Sequence, residues 1–455
     1  MVMPPAWVLI AAPRNWDSAR RFGFFGEFSM RFTPWATRLV LTLSLSATAL
    51  LTACGGGGGG GSNTQVRLLN ATRSYAQLDL TVNDKTINSK VGYASVGEYG
   101  TVDTGSTASK VLTSDVGTSV SATTPTLNAN SNYTYITFGF AGAVGTRLLE
   151  ENQEVPEANK AKLLVYNLAP DAGALDVYVT TATDSLDTAT PLTTNLAGGS
   201  GSGYIQLNSG TFRVRVTGYN KRTDLRLDIP AITLDSASVN TLILTSSDGG
   251  VLVNGVSLVQ KGAVKSFANT QSRVRTVAAL ANAGTVASTI NGQQMFSSAI
   301  SPLISDYVTT ASGASTLNVA VNGANVSFTA PTLTAGTDTT LLVWGDPAAP
   351  KLSVINDDNR LPTVNGNVKV RLINAIAAQT AGVSLNVDFS AVASNVLPGQ
   401  ASTPNSIGST AASQVDVTVP TSSSAIYTNA TLAFPANSVW TFFAVPTTSG
   451  VTTTS

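Results

Sequence analysis

One thiol, no imidazole and two short runs of paired carboxylates make up the reactive inventory of this 455-residue chain. Without histidine there is no Ser-His-Asp or Cys-His relay, no His-ligated zinc and no ordinary proton shuttle. Gly-x-Ser-x-Gly elbows, Ser-x-x-Lys pairs and Walker loops are also missing from the sequence. The single sulfur stands in Leu51-Thr52-Ala53-Cys54, at the end of an apolar run over residues 39–51, and seven glycines come directly after it. It stands behind Arg31 and Arg38 and directly after a small residue, the arrangement of a cleavage site at the end of an export signal. The paired acids, Glu150-Glu151 and Asp357-Asp358, each precede an asparagine and then a proline. They offer hard oxygen ligands for Ca²⁺ at a joint between domains. A solvated linker stiffened by proline is the alternative. Tyr99, Tyr204 and Tyr307 each stand six residues before a glycine (Gly105, Gly210, Gly313). They are candidates for stacking on a sugar face, or for a corner tyrosine whose hydroxyl serves the backbone.

The segment from Met30 resembles a bacterial lipoprotein signal, with Leu51–Cys54 as its lipobox. That resemblance implies diacylglyceryl transfer to the Cys54 sulfur, cleavage, and acylation (palmitate among the chains) of the new amino group. At roughly 13 residues the apolar run is too short to cross ~30 Å of hydrocarbon, so it is read as a signal peptide over 30–53 within a leader over 1–53. Translation is expected to start at Met30. One acyl chain holds a protein only marginally, whereas two or three hold it stably. Gly55, in place of Asp, favours the outer membrane. The stretch 54–63 is then a lipidated, polyglycine tether whose reach grows as ~5–6 Å × √n.

Beyond the tether, β-strands must position any functional side chain. The leader takes five arginines and two acids, leaving 26 − 5 = 21 basic against 26 − 2 = 24 acidic residues. That balance gives no electrostatic footprint for nucleic acid. Thr, Ser, Asn, Gly and Val dominate, which suits pleated strands and turns. Four copies of one unit are visible. Val66-Arg-Leu-Leu-Asn70 recurs as Leu163-Leu-Val-Tyr-Asn167, Val274-Arg-Thr-Val-Ala278 and Val370-Arg-Leu-Ile-Asn374. A second strand comes after each opener, as in Leu78-Asp79-Leu80 and Leu175-Asp176-Val177, and an apolar run closes each copy. Asp79 and Asp176 hold one equivalent position and are expected to accept backbone hydrogen bonds. Period-2 strands at ~100 residues per unit predict β-sandwiches.

The expected fold is therefore all-β, with four tandem Ig-like sandwiches over 64–157, 158–268, 269–361 and 362–455. They read as beads on a string, each standing on its own core. Units one to three and two to four are 208 and 207 residues apart, so a two-domain block is duplicated. The glycine-rich 197–203 precedes a strand and is a loop.

The segment Asn167-Leu-Ala-Pro170-Asp171-Ala-Gly-Ala-Leu-Asp176-Val-Tyr-Val179 resembles the opener of the DUF4397 family, and Gly203–Val216 and the Asp357-Asp358-Asn359…Pro362 joint are similar to its later blocks. The resemblance implies exported, lipid-anchored, tandem Ig-like domains and no activity. The function expected is non-enzymatic: a lipid-anchored protein of the cell outer membrane, without cofactor, using its domains for binding, adhesion or scaffolding. Its partners would be the membrane, through the anchor, and an envelope protein or glycan. A glycan-binding or two-carboxylate glycan-hydrolysing protein is the alternative, and edge-strand addition to a partner a third mode.

Overall fold

The computed structural model describes residues 7–13 and 64–446; Cys54 and the tether lie outside the described residues. It is all-β: the only helical turns among the described residues are the 3₁₀ segments Pro170–Ala172 and Ala281–Ala283. Four units succeed one another along the chain, each built from two principal sheets. In every unit an opening strand (Thr64–Asn70, Lys160–Leu168, Gln271–Leu280, Asn367–Asn374) lies parallel to a closing strand (Asn132–Phe140, Ser238–Ser246, Asp338–Asp346, Ser438–Pro446). The second strand (Gln77–Val82, Leu175–Thr180, Thr285–Ile290, Val383–Val387) belongs to the facing sheet.

The turn between the two sheets is written in the asparagine of the opener. Asn70, Asn167 and Asn374 each accept from the backbone N–H two residues on (Thr72, Ala169, Ile376) and donate to carbonyls of the facing sheet or its turns. Such a side chain closes a turn that would otherwise leave buried backbone groups unpaired. The third unit has Ala278 there, and Ser301 Oγ takes over as acceptor for Leu280 N.

Opening and closing strands are buried on both faces, which overturns the beads-on-a-string expectation. In the first unit Val66 and Leu68 point into that unit's own core, while Leu69 points the other way, into a core shared with the second unit. The shared core joins Leu69, Ile136 and Leu149 to Leu164, Tyr166, Ile243 and Leu258. The third and fourth units repeat the arrangement with Val277, Leu342, Trp344 and Ile355 against Ile373, Phe443 and Val445. Each such side chain contributes ~1.5–3 kcal/mol on full burial, so the paired units do not stand alone.

The two pairs also meet each other. Asp171, on the 3₁₀ turn after the second opener, accepts from Leu361 N at 2.7 Å and from Ser246 Oγ at 2.7 Å. Gly250 sits at φ +90°, and a Cβ there would come within 2.6 Å of Arg360 N, so the turn and the linker touch backbone to backbone.

In the first three units an outer strand runs antiparallel to the closing strand: Ala143–Glu150, Val253–Val259 and Ala349–Asp357. In the fourth that place is taken by Trp7–Pro13, from the far end of the chain.

Candidate binding site

Two buried charge clusters sit where paired sheets meet. In the first pair, Arg67 on the opening strand lies beside Thr134 on the parallel closing strand. Its Nε donates to Thr134 Oγ1 at 2.9 Å, and its Nη2 to both carboxylate oxygens of Glu151 at 3.0 and 3.1 Å. Tyr99 OH donates to Glu151 Oε1 at 2.7 Å, and Thr134 Oγ1 donates to the same oxygen. The second unit closes the cluster from its turn: Lys261 N donates to Glu151 Oε2, and Gly262 O accepts from Arg67 Nη1 at 3.0 Å. Arg67 and Glu151 are 4% and 1% exposed, so every polar atom needs such a partner.

The second pair carries the same constellation. Arg275 Nε donates to Thr340 Oγ1 at 2.8 Å, and Thr340 and Tyr307 hydroxyls both donate to Asp357 Oδ2 at 2.5 Å. The fourth unit adds Arg371, whose Nη2 donates to Asp357 Oδ1 and whose Nε donates to Thr441 Oγ1 at 3.0 Å. Burial by itself would raise the Asp357 carboxyl; Arg371 and Arg275, with the two hydroxyl donors, hold it below the ordinary range instead. The phenols of Tyr99 and Tyr307 are pushed well above theirs, by burial first and by the carboxylates they serve.

The two acidic triplets, in register by sequence, are one residue out of register in space. Thr134 pairs with Leu149 and Thr340 with Ile355, so Glu151 corresponds to Asp357 and Asn152 to Asp358. The carboxylates of Asp357 and Asp358 do not converge. Asp358 turns to Arg360 (2.8 Å) and Lys369 (3.1 Å), which keep it low against its own burial. Among the described residues no group of three His, Cys, Asp or Glu is placed to hold a metal ion.

The tyrosine trio is not a row of open platforms. Guanidinium groups lie over the Tyr99 ring (Arg67, 4.4 Å) and the Tyr307 ring (Arg273, 4.4 Å; Arg275, 4.7 Å). Tyr204 packs against the shared core of the first pair, where burial raises its phenol while the Thr241 hydroxyl lowers it. Asp79 and Asp176 do accept backbone N–H groups, from Lys90 at 2.7 Å and from Asn195 and Asn220 at 2.9 Å each. In the fourth unit Ser384 plays that part, accepting from Asn395 N at 3.1 Å, two residues before Asn386.

A cavity of about 1040 Å³ opens beside the second cluster, between the second, third and fourth units. Lys221, Asp224, Gln293, Arg273, Tyr307 and Thr441 are among its walls. Its lining can hydrogen-bond a polar or acidic ligand. The arginines and threonines of the clusters were visible in the sequence as repeated Val-Arg openers and Thr-bearing closers. Only their convergence on one acid per pair shows what they do.

No curated protein matches the chain in sequence. Among solved structures, a family 26 carbohydrate-binding module from Eubacterium rectale, in complex with maltoheptaose, is similar over 44% of this chain and 97% of its own, at 11% identity and TM-score 0.16. A candidate cell adhesion protein from Bacteroides uniformis is similar over 44% and 97%, at 9% identity and TM-score 0.21. The family profile described as a domain of unknown function, DUF4397, matches residues 64–178 and 272–383. Each match starts in the opener of an odd-numbered unit and ends in the second strand of its partner, so it takes in the buried acid (Glu151 or Asp357), the arginine, threonine and tyrosine of the odd-numbered unit that meet it, and the linker. The chain belongs to the DUF4397 family.

Proposed function

We propose that this is a non-enzymatic, lipid-anchored protein of the bacterial outer membrane whose four sandwiches form a scaffold that binds a partner in the envelope. The observation that carries the reading is the pair of buried charge clusters. They fix the units in two face-to-face pairs and leave the polar cavity between pairs as a ready-made recess. Buried ion pairs are a weak source of net stability, but they specify one arrangement of the groups that make them. A fixed arrangement is what a spacer or a docking platform requires.

Two measurements test it. Metabolic labelling with an alkynyl palmitate is expected to mark the protein, and Cys54→Ala to abolish the mark and release the protein from the envelope fraction. Labelling that survives Cys54→Ala excludes the anchor. Protease shaving of intact cells, with subsequent crosslinking, then separates the two sides of the membrane. A chain left whole until lysis rules out surface adhesion.

Glycan binding is the second reading, and the cavity favours it more than the tyrosines do. Lys221 and Gln293 are exposed members of its lining. Binding on a glycan array that disappears in Lys221→Ala/Gln293→Ala would support it; a blank array with the folded protein would remove it.

A further inference from the structure

We infer that the outer edge of the fourth unit's closing strand, Ser438–Pro446, is a strand-acceptor site for an extended apolar segment of another envelope polypeptide. Three sibling units show what belongs there. Their closing strands carry an antiparallel outer strand in eight, seven and nine register pairs. At the fourth unit the place is held by Trp7–Pro13, in seven pairs from Trp7↔Pro446 to Pro13↔Trp440. The edge therefore takes a strand that is not its sequence neighbour, and the strand it takes is Trp-Val-Leu-Ile-Ala-Ala-Pro.

The site's chemistry can be read from the siblings. Thr134, Thr241, Thr340 and Thr441 occupy one position, each next to the same residue of its opening strand. Opposite the first three stand Leu149, Leu258 and Ile355, all buried in the shared cores. Opposite Thr441 stands Ala12. The acceptor thus offers a row of backbone groups to an antiparallel strand and, opposite Thr441, a position that the three siblings fill with leucine or isoleucine. Phe443 and Val445, which are fully buried, lie along the same face.

The inference rests on the export reading in one respect. Whether translation starts at Met30 or the leader is cleaved before Cys54, residues 7–13 are absent from the exported protein, which leaves the edge there for a strand in trans. The test uses protein purified from the envelope, its N-terminus established by mass. The probe is a peptide carrying Trp7–Pro13 between solubilising lysines. Amide exchange at 439–445 is expected to be fast without the peptide and to slow by at least about tenfold at saturation. A peptide with Ile10→Pro should have no effect, because it lacks an N–H and crowds the ladder. A peptide with Ala12→Leu should bind at least about threefold more tightly.

Absence of slowing overturns the proposal. So does an edge already protected in a monomer, which assigns it to the chain's own residues, or one protected only in a dimer seen by sedimentation, which assigns it to a second copy. If the mass shows residues 7–13 retained, the export reading fails separately. The acceptor is then tested in the full chain: Ile10→Pro must expose 439–445 and the added wild-type peptide must protect them again.

Discussion

The two charge clusters are one device with two solutions at its fourth corner. In both, an arginine of the opening strand, a threonine of the closing strand and a tyrosine hydroxyl converge on a single buried acid. In the first pair the neighbouring unit completes the acid's shell with a backbone N–H from a turn, Lys261. In the second it sends a side chain, Arg371, into the position that Leu164 holds in the first. Leu164 joins the apolar shared core; Arg371 makes the second cluster two cations on one carboxylate. The difference teaches that the requirement is a fully partnered acid between sheets, and that backbone or side chain can meet it.

The sharpest way to break the comparison is to remove the acids. Asp357→Ala strands two buried arginines and is expected to cost ~3–5 kcal/mol, read as a shift of the denaturant midpoint of the intact chain. Glu151→Ala strands one, with Thr134 and Gly262 O still available to it, and should cost less. Equal costs would mean that Arg371 adds nothing to what Arg275 already needs. The pH dependence has a definite sign. The folded Asp357 carboxyl lies below its unfolded value, so its contribution is complete above about pH 4 and is lost as pH falls through the folded value. The gap between wild type and Asp357→Asn is therefore expected to be widest near neutrality and to close in strong acid. A gap that stays constant from pH 7 to pH 2 would show that the carboxylate charge is not what the arginines hold.

Next in size come the tyrosines. Tyr307→Phe removes a hydrogen bond to a charged acceptor inside the cluster and is expected to cost ~1.5–3 kcal/mol. Tyr99→Phe removes one hydrogen bond where Tyr307→Phe removes two, since the Tyr307 hydroxyl also accepts from Asn359 Nδ2 at 3.2 Å, so its cost should be the smaller. If the order inverts, Arg371 has taken over the duty of Tyr307 and the second cluster is the more redundant of the two.

Legibility in the sequence tracked periodicity. The openers, the second strands and the turn asparagines were readable because each obeys a local rule: alternation for Leu78 and Leu80, side-chain capping for Asn70 and Asn167. The face-to-face pairing went unread, although closing runs such as Thr241-Leu-Ile-Leu-Thr245 and Thr340-Leu-Leu-Val-Trp344 carry its mark. Near-continuous apolarity marks a strand buried on both faces, whereas a bead with one wet sheet would alternate. The clusters were not legible, because Arg67 and Glu151 are 84 residues apart and nothing local marks them as neighbours. Register hid the rest: aligning Glu150-Glu151-Asn152 with Asp357-Asp358-Asn359 pairs the wrong acids by one residue, and one residue in a strand exchanges its faces.

The smallest effect separates joints within pairs from the joint between them. Arg360 pairs with Asp358 at 2.8 Å and lies 4.9 Å from the centre of the Phe140 ring of the first unit, and both ionic side chains keep about a third of their surface. Water screens such a pair, so Arg360→Ala is expected to change stability by at most about 1 kcal/mol. What it removes is a contact between blocks rather than a partner of a buried charge. Its consequence should therefore be seen in scattering, as a wider distribution of distances between the two pairs, while each pair unfolds as before. An Arg360→Ala variant as unstable as Asp357→Ala would mean that the blocks are bound as tightly as the sheets inside them. The distinction between locked pairs and a lighter hinge would then be lost.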